Sequence, residues 1–183
     1  MRILIAYAGK NGTTEACVER LTEQLRGKDV TVVCLERETA DLASFDLVVV
    51  GSPVYYGKLR PSARRFLKEF HDILLQKPIA LFLCCAIGED YEYFCERLFG
   101  KELTAHAFAT AYFGGSLRTE GLSLWDKLMV RSMRSSLFEA DMDQGEYFAT
   151  LPTVLPENID KLAALIHNEC VRLIVDKTNN MNR

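Results

Sequence analysis

The sequence predicts an α/β fold: a doubly wound sheet of five parallel strands, helices on both faces, and an inserted helix after the fifth strand. Three observations lead there. Short apolar, β-prone runs alternate with segments whose apolar residues recur at helical spacing. The central run Leu47–Gly51 is apolar without alternation, as a strand covered on both faces requires. Successive parallel strands joined by helices must cross over right-handed, which leaves doubly wound arrangements.

The elements follow in chain order. Arg2–Tyr7 is a first strand ending at the glycine-bearing stretch Ala8–Thr14. A helix follows with Cys17, Val18, Leu21 and Leu25 on one face, and Gly27 stops it. Thr31–Leu35 and Leu47–Gly51 are the second and third strands. Pro61–His71 is helical, with Ala63, Phe66, Leu67 and Phe70 at helical spacing and Pro61 suited to the first turn. Ile79–Cys85 is the fourth strand, Asp90–Phe99 a short helix, and Ala105–Phe113 the fifth strand. The connection Gly114–Pro156 is too long for an ordinary strand-to-helix link. It holds a helix at Leu122–Ser135 and an acidic stretch at Glu139–Glu146. A final helix runs from Asn158 to Val175, with Ile159, Leu162, Ala163, Ile166, Cys170, Leu173 and Ile174 on its apolar side. The expected organisation is one domain over 1–176 and a polar, frayed tail over 177–183.

Composition excludes several classes of function. At 183 residues and 49% hydrophobic the chain can bury one sizeable core. It carries 22 Lys plus Arg against 25 Asp plus Glu, a net charge of −3 that argues against a whole-protein footprint for nucleic acid. Apolar runs such as Ile79–Ile87 are far shorter than the roughly 18 residues that span a bilayer, and no signal peptide is visible, so a soluble cytoplasmic protein is expected. Six cysteines without a CxxC pair, and three histidines without ligand spacing, give a metal site no support; free thiols are expected. No Ser/His/Asp or Cys/His set is recognisable for nucleophilic catalysis.

Ligands of open parallel sheets sit beyond the carboxyl ends of the strands, where the strand order switches. The loops placed there are Ala8–Thr14, Ser52–Lys58 and Cys85–Tyr93. The first opens a helix, whose free N–H groups and dipole form an anion site, and Thr13 and Thr14 add hydroxyls. Read alone, it is equally an ordinary turn with Thr13 or Thr14 as N-cap. It fits neither GxxxxGK[ST] nor GxGxxG, which sets aside nucleotide hydrolases and dinucleotide-binding folds. The second loop sets two aromatics between glycines, where a planar ligand can stack.

YAGKNGTTE and FDLVVVGSPVYYGKLRP resemble the flavodoxin family over roughly 1–115 and the C-terminal helix. The resemblance implies a flavodoxin-like fold and FMN as cofactor. By it, Gly9, Lys10, Asn11, Gly12, Thr13 and Thr14 bind the phosphate. Ser52, Pro53, Val54, Tyr55, Tyr56 and Gly57 line the flavin ring. Cys85, Ala86, Ile87 and Gly88 form its other edge, with Tyr91 or Tyr93 as further stacking residues. The family usually has hydroxyls where this chain has Ala8 and Gly9, a loss of about 1 kcal/mol per net hydrogen bond.

GGSLRTEGLSLWDKLMVRSMRSS over 114–136 is similar to the flavodoxin-type, quinone-dependent protoporphyrinogen oxidases. That resemblance implies an enzyme passing electrons from a porphyrinogen substrate through FMN to a quinone, with Arg118, Trp125, Lys127 and Arg131 contacting substrate or acceptor. Its helix suits a peripheral contact with the inner face of the membrane through 122–135. It is also readable as a helix burying Trp125 and its methionines and showing water a basic face. Two further readings stand beside the enzyme: an electron carrier docking on redox proteins, and a flavin-free binding module that has kept the fold.

Overall fold

The computed structural model describes residues 1–10, 12–55, 57–85, 91–115 and 154–181. The elements are β1 (Arg2–Tyr7), α1 (Thr13–Gln24), β2 (Asp29–Cys34), a 3-10 turn (Leu42–Ser44), β3 (Leu47–Tyr55), β4 (Lys58–Leu59), α2 (Pro61–Glu69), α3 (His71–Leu74), β5 (Ile79–Cys84), α4 (Tyr91–Phe99), α5 (Lys101–His106), β6 (Ala109–Tyr112) and, after 113–153, α6 (Pro156–Met181). The expected helix at 122–135 and the acidic stretch after it lie outside the described residues.

Five strands pair in parallel in the order β2-β1-β3-β5-β6, and β4 folds back antiparallel on the end of β3. The fold is the expected doubly wound one. The chain steps from β1 outward to β2, then returns to the other side of β1 as β3. The switch in strand order therefore falls between β1 and β3, where Tyr7 stands opposite Gly51 and the Ala8 N–H donates to the Gly51 carbonyl at 2.9 Å.

Strand alternation divides the core between the two sheet faces. Ile3, Ile5, Tyr7, Val49 and Phe82 face α1 and α6. Leu4, Ala6, Val48, Val50 and Leu81 face α2, α3, α4 and α5. Gly51 lets Phe82 lie across the sheet: a Cβ there would stand 1.8 Å from the Phe82 ring, which stacks on Phe113 at 4.5 Å between centroids.

Several elements differ from the sequence reading. The third strand runs on through Tyr55, past the expected end at Gly51, because its end pairs with β4, and the second spans Asp29–Cys34, not Thr31–Leu35. Ile174, expected on the apolar side of the last helix, is exposed, because no element among the described residues covers that part of the helix face. The fifth strand starts at Ala109, not Ala105, because Gly100 (φ 92) ends α4 and α5 begins at once, burying Leu103. The helix expected over 61–71 stops at Glu69, and α3 restarts as a single turn. The strand β4, only two residues long, has no periodicity to reveal it. The last helix runs on through Met181, past the expected end at Val175, into the stretch read as a frayed tail. There Arg172 bonds Asp176 at 3.2 Å, Thr178 donates to the Ile174 carbonyl, and Lys177 reaches Asp46 at 2.7 Å.

No disulfide joins the six cysteines, all of them among the described residues; Cys34 and Cys85 are partly exposed and the rest buried. Among the described residues no helix is long and apolar enough to cross a membrane, and no group of His, Cys, Asp or Glu could hold a metal ion.

Candidate functional site

The carboxyl ends of β1 and β3 carry the two loops that the sequence singled out. The turn after β1 opens α1 with Gly12, not a threonine, at the N-cap, in the left-handed region (φ 82) and without a side-chain cap. Ala16 is the first residue to donate into the helix, to the Gly12 carbonyl. The N–H groups of Thr13, Thr14 and Glu15 therefore lie outside the helical ladder, at the positive end of the dipole. Gly12 is exposed, and nothing stands within 4 Å of where its Cβ would be. Lys10 is exposed, Gly9 and Thr13 are partly exposed, and Asn11 lies outside the described residues.

The floor of this turn is made by side chains the sequence reading did not assign. The Tyr7 ring lies under Gly9, and its hydroxyl donates to Glu15 at 3.3 Å. Burial first, then Cys34 and Glu15, hold that hydroxyl protonated, far above its usual range. Thr14 is buried and bonds the Cys84 thiol, which is itself raised, first by its hydrogen bond to Cys17 and then by burial. Thr14 thus ties α1 to the end of β5.

The second loop is a β3–β4 hairpin in which Tyr55 stands opposite Lys58 and Gly57 takes a positive φ of 68. Ser52 is fully buried: its hydroxyl accepts from the Arg60 N–H at 3.2 Å and donates to the Pro53 carbonyl at 2.9 Å. Ser52 and the buried Pro53 therefore shape the hairpin, and of the residues expected to line the ring Val54, Tyr55 and Gly57 are the described ones with surface to offer. Tyr56 lies outside the described residues.

A polar clasp ties the turn after β2 to the end of the hairpin and the start of α2. Glu36, just beyond β2, accepts from Arg60 Nε at 2.8 Å and from Ser62 Oγ at 2.9 Å. The side chains of the pair are only 21% and 27% exposed, and the Arg60 guanidinium lies 5.7 Å over the Tyr55 ring. The Arg60 hydrogen bond holds the Glu36 carboxyl below its ordinary value, aided by the Ser62 hydroxyl and the charges of Arg60 and Lys10 and opposed by burial. A depressed carboxyl contributes stability that is complete above its unfolded pKa, near 4.5, and is lost as pH falls through the lower folded value. Glu36→Gln is expected to cost about 1–2 kcal/mol at neutral pH. In urea melts the gap to the parent should close below about pH 4; a gap that persists there would remove the ion pair as its cause.

The third loop begins at Cys85, whose backbone is crowded by Gly115: a Cβ at Gly115 would lie 2.7 Å from the Cys85 carbonyl carbon. Ala86, Ile87 and Gly88 lie outside the described residues. Tyr91 is half-buried and stacks on Tyr112 at 6.2 Å, whereas Tyr93 is 61% exposed and packs edge-on against Phe94 at 5.9 Å. Arg118, Trp125, Lys127 and Arg131 lie outside the described residues.

The family model for the flavodoxin domain matches residues 4–143. Oxidised flavodoxin 2 from Bacillus cereus is 19% identical with a TM-score of 0.55, covering 92% of this chain and 99% of its own. The two-electron reduced flavodoxin of Megasphaera elsdenii is 23% identical, TM-score 0.50, over 60% of this chain and 84% of its own. Rubredoxin oxygen:oxidoreductase from Desulfovibrio gigas is 15% identical, TM-score 0.51, over 90% of this chain but 37% of that enzyme. At such identities these structures share the fold. No curated protein sequence matches the chain.

Proposed function

The chain belongs to the flavodoxin family, and on that premise we propose that it is an FMN-dependent oxidoreductase passing electrons from a reduced substrate to a quinone, like the flavodoxin-type protoporphyrinogen oxidases. The cofactor is FMN, and the residues present fit it. A left-handed, uncapped Gly12 leaves the first N–H groups of α1 free for a phosphate, with Lys10 beside them. The hairpin presents Tyr55, backed by Arg60, as a face for a planar ring.

FMN supplies the redox chemistry when bound, taking up electrons from one partner and delivering them to the next. The chain's own part is to bind and orient. The start of α1 holds the phosphate; Val54, Tyr55 and Gly57 hold one side of the ring, and Cys85 begins the other. Arg118, with Trp125, Lys127 and Arg131, would meet the carboxylates of a porphyrinogen or the quinone, and 122–135 would rest on the membrane surface that holds the quinone.

One observation carries the enzymatic reading: the likeness of 114–136 to those oxidases, in a chain whose remaining residues offer no nucleophile set of their own. An anaerobic assay of the FMN-loaded protein with protoporphyrinogen and a soluble menaquinone analogue tests it. Turnover that moves two electrons and two protons from porphyrinogen to quinone supports the enzyme. FMN binding without turnover leaves the second reading, a carrier docking on redox proteins. What favours that reading is the charge around the ring hairpin: Lys58 and Arg60 flank Tyr55, and the helix after them continues the positive run.

A further inference from the structure

Charge is distributed unevenly over this molecule. The stretch 58–68 holds Lys58, Arg60, Arg64, Arg65 and Lys68 and no carboxylate. The chain's net charge is −3 and this stretch carries +5, so the remaining residues carry −8. The fold gathers the five cations on one side. On α2, Ala63, Phe66 and Leu67 are buried against the sheet, which turns Arg64, Arg65 and Lys68 together to water. Lys58 is exposed on β4, in register with Tyr55. Arg60 is the inner member, fixed by Glu36.

Among the described residues no ion pair engages Lys58, Arg64, Arg65 or Lys68. Glu36, the carboxylate that reaches Arg60, is already taken by Arg60 and Ser62. Glu69 and Asp72 come only at and beyond the far end of α2. The patch also has one-sided chemistry. Among the described residues the exposed large apolar ones are Val32, Ile73, Tyr93, Leu165, Val171, Ile174 and Val175, and none belongs to 58–68. A lipid surface binds through buried apolar area as well as charge, so a patch without an apolar anchor fits an acidic protein better. Its place, running outward from the ring hairpin, fits a partner that must bring a redox centre close to the flavin.

We propose that Arg64, Arg65 and Lys68 of α2, with Lys58 beside Tyr55, form the docking surface for an acidic electron-transfer protein. The proposal deepens the carrier reading above and rests on it. Such contacts are small, weak and steered by charge, so their strength is set by ionic strength more than by buried area.

The test compares the FMN-loaded parent with the charge-reversed triple variant Arg64→Glu, Arg65→Glu and Lys68→Glu, all at exposed positions outside the FMN loops. Each is passed over an immobilised acidic [2Fe–2S] ferredoxin at about 20 mM and about 200 mM salt, across which the Debye length shortens about threefold. Each is also titrated with FMN and with vesicles of phosphatidylcholine and phosphatidylserine. The expected result is salt-sensitive ferredoxin binding by the parent, weakened about tenfold or more in the variant at low salt, with FMN affinity unchanged. Equal ferredoxin binding by parent and variant overturns the proposal. So does loss of vesicle binding in the variant when the parent does not bind ferredoxin. Patch-dependent ferredoxin binding in a chain that takes up no FMN would uphold the docking surface and overturn the flavin reading instead.

Discussion

Gly51→Ala is expected to destabilise the protein by about 3 kcal/mol, seen as a lower urea midpoint at an unchanged slope. The added methyl would stand 1.8 Å from Phe82 Cζ and 2.1 Å from Cε1. Phe82 is fully buried and stacked on Phe113 at 4.5 Å with ring planes 22° apart, so the ring has no free volume to move into. The buried cluster that holds it draws on β1, β3, β6, α1 and α6, so relief must come from shifting the sheet or the helices on it. A double variant isolates the cause. With Phe82→Leu in place, Gly51→Ala should cost about 1–2 kcal/mol less than in the parent, because the two share one space. Strict additivity would mean that the clash is not what glycine avoids at this position.

The second large effect falls on the ligand. Gly12→Val is expected to weaken FMN binding at least about tenfold, because a β-branched residue does not hold φ 82 without strain of about 1–3 kcal/mol. The loop must rearrange, and with it the N–H groups of Thr13, Thr14 and Glu15 that are proposed to hold the phosphate. Gly27→Val is the matched control. Gly27 has φ 87, its surroundings are as open as those of Gly12, and it lies in the turn after α1, at the other end of that helix. Both variants should lose similar stability, and only Gly12→Val should lose FMN affinity. Equal FMN affinities in the two would detach the phosphate from this turn.

Much of this architecture was legible because burial on both faces leaves an uninterrupted apolar run, as in Leu47–Val50 and Ile79–Leu83. The strand order sets the ends of β1 and β3 at the switch point, where the sequence had placed its candidate loops. What stayed hidden has three physical causes. Short elements carry no period: β4 is two residues, and α5 follows Gly100 so closely that its end was read as strand. Partners far apart in sequence leave no local mark, so nothing in the sequence pairs Glu36 with Arg60 and Ser62, or sets Thr14 against Cys84. Side-chain direction is also set by packing. Ser52 reads as a ring-lining hydroxyl, yet the hairpin turns it inward and uses it on the Arg60 N–H and the Pro53 carbonyl. Tyr7 reads as the last residue of a strand and serves as the floor of the turn after β1.

The central claim is that the turn after β1 and the β3–β4 hairpin hold FMN together. Fluorescence titration of the flavin-stripped protein with FMN tests it most directly. The account predicts saturable quenching at one FMN per chain with a dissociation constant of about 1 μM or tighter, abolished or strongly weakened in Gly12→Val and retained in Gly27→Val. Absence of quenching at about a hundredfold that concentration would contradict it, and would make Ala8 and Gly9 the marks of a flavodoxin fold that no longer carries its flavin.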